Sequence, residues 1–226
     1  MHNRAMKKPF EILFNDDYLV VLNKIAKVLI QPSPKKEKYT LTSLLKEKMK
    51  ERVFPCHRLD RETTGLIIYA KDKETQREVM QGFKTRGIKK KYIAFIKGRL
   101  IRKRGVLAGS ILDKEGAYFG EKSKEAMTIY KVLKEFRDFS IVQLEPLTGR
   151  TNQLRIQLAK LGNPILGERK YAFRRDFKVN FKRLALHSFF IEFIHPISKE
   201  KVSLKIDLPE EMKEFIRRHS FNALTL

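Results

Sequence analysis

The chain has 226 residues, 42% of them hydrophobic. That is enough for one large domain or two small ones with a real core, and it excludes global disorder. Lys and Arg number 49 against 26 Asp and Glu, a net charge of +23 that exceeds what solubility requires and points to an anionic partner. No apolar run approaches the roughly 20 residues of a membrane span. The basic start from Met1 to Lys8 has no apolar stretch behind it, so nucleic acid is preferred over a membrane as the partner.

A single cysteine, Cys56, excludes an intramolecular disulfide and a multi-cysteine metal site, and fits a reducing, cytoplasmic setting. Its neighbours Pro55 and His57 invite a thiol-nucleophile reading, but a lone cysteine is more often a small buried hydrophobe. The five histidines show no metal-ligand spacing, so no metal is expected.

Residues 1–9 read as a basic tail. Phe10–Phe14 and Tyr18–Leu22 read as two strands around the turn Asn15-Asp16-Asp17, and residues 31–38 as a loop. A helix follows, capped near Thr40 or Thr42 and carrying Leu44, Leu45 and Met49. Leu66–Ala70 is a strand. Asp72 then caps a helix with Val79, Met80 and Phe83 on its apolar face and Gly87 at its end. Lys91–Lys97 is a strand, and shorter strands are expected at Gly105–Leu112, Ala126–Leu133 and Ser140–Leu147. Thr151 is expected to cap a helix that stops at Gly162. Strands near Leu184–Phe193 and Lys201–Ile206 precede a last helix opened by Pro209. Strands outnumber helices and do not alternate as βαβ units. The expected class is therefore α+β, a mostly antiparallel mixed sheet flanked by helices. One domain over residues 10–220 is the simplest organisation, with a short C-terminal tail over 221–226.

Two segments stand out. One is His57-Arg58-Leu59-Asp60-Arg61-Glu62-Thr63-Thr64-Gly65, a carboxylate between two arginines. The other is Leu147-Thr148-Gly149-Arg150-Thr151-Asn152-Gln153-Leu154-Arg155. By charge alone, Asp60 would be read as a surface ion pair worth about 0–1 kcal/mol, and Arg155 as a solvated helix arginine. Tyr92, in an alternating strand, would be read as core. Together, though, the two segments resemble the HRLDxxTSG and GRTHQIR motifs of the RluA-type pseudouridine synthases. The likeness extends through Ile12–Lys24, Asn163–Tyr171, Leu184–Ser188 and Phe193–Pro196, almost the whole chain.

The resemblance implies a pseudouridine synthase catalytic fold without an S4 domain. It implies isomerisation of uridine to pseudouridine in ribosomal or transfer RNA, with no cofactor. It makes Asp60 the catalytic aspartate and Arg155 its charge partner. Tyr92, in Lys90-Lys91-Tyr92-Ile93-Ala94, becomes the tyrosine that stacks on the target uracil and serves proton transfer. Arg58 would fill the space left by the flipped nucleotide. Arg61, Thr64, Lys91, Arg150 and Asn152 are expected to contact RNA, and a monomer is expected. The sequence departs from the family pattern at Asn152 and Gln157, where His is usual or frequent. Further departures are Ile25 and Lys27 for the Pro and Gly of NKPAG, Thr64 for Ser and Glu168 for Asp. The competing reading is a non-catalytic, basic RNA-binding or ribosome-assembly protein on the same fold.

Overall fold

The computed structural model describes residues 9–33, 37–113, 122–173, 175 and 177–221. The expected tails over residues 1–8 and 222–226 lie outside them. The fold is α+β, with a large, mostly antiparallel sheet and, among the described residues, four helices. The chain divides into two compact units, the first running to Gln81 and including His195–Glu200, the second holding the rest.

In the first unit, β1 (Phe10–Asn15) and β2 (Leu19–Lys24) form the expected antiparallel hairpin. Its turn is set by the Asp16 carboxylate, which accepts the backbone N–H groups of Tyr18 and Leu19 at 2.8 and 2.7 Å. The N–H of Ile25 reaches the carbonyl of Pro9, so Pro9, expected as the last residue of the tail, pairs with the hairpin. After α1 (Leu41–Met49) comes a two-residue strand, β3 (Phe54–Pro55), too short to register as a pattern. β3 and β2 both pair with β4 (Thr64–Ala70). Leu19 to Leu22 and Leu66 to Ala70 are fully buried, which explains why these strands read as continuous apolar runs. Thr40 caps α1: its hydroxyl accepts the N–H of Ser43, and the Ser43 hydroxyl accepts that of Thr40. Leu41 and Leu45 anchor the helix.

α2 (Lys73–Lys84) starts as expected, with Asp72 accepting the Thr75 N–H and hydroxyl. These bonds, led by the hydroxyl, hold the Asp72 carboxyl below its ordinary range. Two expectations at this helix need correcting. Met80 is 41% exposed, so the apolar face is carried by Thr75 and Val79. The residue in the left-handed conformation after the helix is Arg86 (φ 62°), not Gly87, whose N–H closes the end on the Gly82 carbonyl at 2.9 Å.

In the second unit, β5 (Lys89–Lys97) lies between β8 (Phe139–Pro146) and β9 (Leu186–Ile194). β7 (Lys122–Glu135) pairs with β8, β6 (Arg104–Asp113) with β7, and β10 (Lys201–Lys205) with β9, all antiparallel. Helix α3 (Gln153–Lys160) buries Leu154 and Leu158, one turn apart, as the i and i+4 spacing requires. Its cap departs from expectation. Asn152, not Thr151, is the cap residue; it is left-handed (φ 55°) and makes no side-chain capping bond. Its amide is committed elsewhere, as described below. Helix α4 (Glu210–Phe221) runs one residue into the stretch expected as tail, and Met212 and Phe215 bury its inner face. Phe215 meets the Phe139 ring edge-on at 5.1 Å between centroids.

Candidate active site

Asp60 sits in the turn between β3 and β4. The N–H of Thr63 closes this turn on the Asp60 carbonyl at 3.0 Å. His57 is pinned at its entry, because its Nε2 accepts the N–H of Ile68 on β4 at 3.1 Å. That places the proton of a neutral ring on Nδ1. Lys24 holds the exit. It is fully buried, and its ammonium donates to the carbonyls of Ile25, Val28 and Arg61 at 2.9, 3.0 and 3.2 Å. The N–H of Lys27 also reaches the Arg61 carbonyl, at 2.8 Å. Lys27 has φ 69°, the conformation that the family's glycine would adopt without strain. Within this frame Leu59 is buried, Asp60 half-buried, and Arg58 and Arg61 exposed. Thr63 and Thr64 are buried, and the Thr63 hydroxyl has no hydrogen-bond partner among the described residues.

Cys56 packs beneath this turn as a small apolar group. Burial pushes its thiol up to about 12, which removes the thiolate that a nucleophile needs. Tyr69 is likewise raised by burial and bonds Thr42 at 3.1 Å; it is a structural phenol.

In the second unit, Tyr92 lies on β5 opposite Leu144 of β8 and is 7% exposed. Lys91, its neighbour, faces Glu145 at 3.9 Å. The second motif turns from β8 into α3. A buried amide network shapes this turn. The Gln153 carbonyl oxygen accepts the Thr148 hydroxyl at 2.7 Å and the Arg150 N–H at 3.0 Å. Its amide nitrogen donates to the Met127 carbonyl and the Thr128 hydroxyl, both at 3.0 Å. The Thr128 hydroxyl donates to the Gln157 side-chain oxygen at 2.7 Å, and the Gln157 amide donates to the carbonyls of Leu107 and Ala126. Every polar atom of both glutamine side chains is used, so the turn is held by a satisfied network. The Arg150 side chain reaches the Glu125 carbonyl at 3.1 Å.

Arg155 projects from the first turns of α3 into a rigid clamp. Its Nε and Nη2 donate to the two oxygens of Glu168 at 2.7 and 2.8 Å, a bidentate pair. Its Nη1 donates to the Asn152 side-chain oxygen at 2.8 Å. The Asn152 amide donates in turn to the Tyr171 hydroxyl at 3.0 Å, and the guanidinium carbon lies 5.3 Å from the Tyr171 ring centroid. This is where the capping potential of Asn152 has gone. The Glu168 side chain is fully buried. Burial alone would raise its pKa. The Arg155 hydrogen bond, the N–H groups of Lys170 and Arg169, and the Arg155 charge overcome that and hold the carboxyl below its ordinary range. The chain reaches this position through Gly167, at φ 80°, where a β-carbon would stand 1.8 Å from the Arg183 carbonyl oxygen. No other residue fits there.

Residues 18–160 match the model of the RNA pseudouridylate synthase family, more than half of the chain. The chain belongs to this family. It is 30% identical to the tRNA pseudouridine synthase C of Vibrio parahaemolyticus serotype O3:K6 (strain RIMD 2210633), over 94% of this chain and 96% of that protein. It is 38% identical to the dual-specificity RNA pseudouridine synthase RluA of Pasteurella multocida (strain Pm70), over 85% of this chain and 90% of that one. Among solved structures, human RNA pseudouridylate synthase domain containing 4 superposes with a TM-score of 0.76 at 26% identity, covering 92% of each chain. As an RNA pseudouridine synthase the protein is an isomerase whose partner is RNA. Among the described residues, no helix is long and apolar enough to cross a membrane.

Several residues that build this synthase's site have structural partners that the sequence does not show. Glu168 is a carboxylate in a loop, and only the apolar run Pro164-Ile165-Leu166-Gly167 before it hints at burial. Lys24 sits at the end of a strand, where lysine is ordinarily solvated. Gln153 and Gln157 are four apart on one face of α3, the spacing at which two polar side chains can share a partner.

Proposed function

We propose that this synthase isomerises uridine to pseudouridine in structured ribosomal or transfer RNA, with Asp60 as its catalytic carboxylate. The observation that carries this reading is that the motif aspartate is present as Asp60 in a chain whose family is established. One relative is named for transfer RNA and another for the large ribosomal subunit, which supports either RNA class. In the reaction the N1–C1′ bond breaks, the uracil turns over, and C5 bonds to C1′. N1 gains a proton and C5 loses one, so atoms balance without redox change.

Arg155 is the charge partner of Asp60 in this reading. Five donors on one guanidinium are enough to serve two carboxylates, and the Glu168–Asn152 clamp fixes the plane of the fork. Tyr92 stacks on the uracil and handles a proton through its phenol. Arg58, exposed at the Asp60 turn, takes the place of the extruded base. Arg61, Thr64, Lys91, Arg150 and Asn152 contact or shape the path of the RNA. The enzyme works in the cytoplasm as a monomer. The test is tritium release from RNA labelled at C5 of uridine. Release is expected from this protein, and binding without release would leave only the role of an RNA-binding protein.

A further inference from the structure

Three consecutive lysines open β5, and their surroundings differ. Lys89 faces Glu192 at 3.3 Å and Lys91 faces Glu145 at 3.9 Å. Strand alternation turns Lys90 to the opposite face, the face of Tyr92. There its ammonium lies 5.4 Å from the centroid of the Phe83 ring, and a β-carbon at Gly149 would stand 3.5 Å from it. No described residue gives it an ion pair or a hydrogen bond. Burial pushes its pKa down to about 8. Lys90 is half-buried, so its ammonium is partly drawn from water with a ring face and no described anion beside it, which leaves room for an anion from outside the protein. The neighbour at Gly149 belongs to the second motif, is exposed, and presents no side chain, so a polyanionic backbone can approach closely.

We propose that Lys90 and the Gly149 turn form a phosphate subsite that grips the substrate RNA backbone on the Tyr92 face of β5. The proposal rests on the RNA isomerase reading and adds a specific contact to it. It also assigns different jobs within the lysine run. Lys89 and Lys91 each already face a carboxylate, which in Lys91 accompanies its place along the RNA path, while Lys90 takes its anion from the substrate alone. A phosphodiester would restore the full charge of the amine on binding, which an uncharged base or sugar would not.

The salt dependence of binding tests this, with a uridine-containing RNA stem-loop that the enzyme converts. Lys90→Met keeps the aliphatic stem and removes the charge. Its log K against log salt slope is expected to be shallower than that of the wild type by about 0.7 to 0.9, the share of one phosphate. Lys90→Arg is expected to keep the slope, and so is Lys213→Met, which removes a half-buried lysine already paired with Asp207 at 2.9 Å. An unchanged slope in Lys90→Met overturns the proposal. If Lys90→Met fails to fold, the wild type serves: acylation of the Lys90 amine by acetic anhydride is expected to be suppressed by saturating RNA. Equal labelling with and without RNA overturns the proposal. A wild-type protein that binds no RNA overturns both this contact and the functional reading, whereas an altered contact alone leaves tritium release intact in the wild type.

Discussion

The two motif segments are held in place by different means. The Asp60 turn is held by its backbone: the Asp60 and Arg61 carbonyls, the buried Lys24 ammonium and the N–H of Lys27 fix the chain path. The Arg155 segment is held by side chains: a buried carboxylate, one amide and a phenol fix one guanidinium. A backbone frame tolerates replacement of the side chain it presents. A side-chain clamp does not, because removing one member leaves the others desolvated and unpaired. Activity and stability should therefore separate at Asp60 and fall together around Arg155.

The largest expected effect on stability comes from breaking the clamp. Glu168→Ala leaves the Arg155 charge without its buried carboxylate, at a cost of about 3–5 kcal/mol. Chemical denaturation and tritium release should both show the loss. Activity lost with stability intact would mean that the clamp is not structural. The same carboxylate sharpens the contrast through pH. Its folded pKa is depressed, so its contribution is complete above the unfolded value near 4.5 and is lost as pH falls through the lower folded value. Denaturation midpoints of the wild type should drop in that acid range. Those of Glu168→Gln, which lacks the titrating group, should drop less.

A smaller effect is expected at Tyr92. Tyr92→Phe keeps the ring on β5 and removes only the hydroxyl, so RNA binding should persist while turnover slows. Wild-type turnover would reduce Tyr92 to a stacking surface. The smallest effect is expected beside Asp60 itself. The Thr63 hydroxyl is buried without a partner, so Thr63→Val, of similar shape, should be neutral or slightly stabilising in thermal unfolding. A loss of more than about 1 kcal/mol would show that this hydroxyl has a partner the turn depends on.

Much of the fold was legible because alternation and capping are local. The hairpin around Asp16, the Thr40 cap and the apolar run of β4 each follow from a few neighbouring residues. What misled were positions whose side chains serve distant partners. Thr151 is the expected cap of α3, yet Asn152 holds that position without a capping bond, because its amide is spent on the distant Arg155 and Tyr171. Arg86 rather than Gly87 takes the left-handed position, because closing the helix on the Gly82 carbonyl decides it. In the site, the motifs named Asp60 and Arg155 and marked Glu168 as a departure from the family's Asp, but not its partner: a carboxylate thirteen residues on is bound to Arg155 only by the path through Gly167. Lys90 was indistinguishable from its neighbours until the carboxylates opposite Lys89 and Lys91 were placed.

The central claim is that Asp60 supplies chemistry and not structure. It is tested most directly by measuring tritium release and thermal unfolding side by side for the wild type and Asp60→Asn. The amide is nearly isosteric but lacks the charge that the covalent or base step needs. The account predicts no detectable release from the variant, with RNA binding kept and an unfolding midpoint close to the wild type's. Measurable release by Asp60→Asn would contradict it.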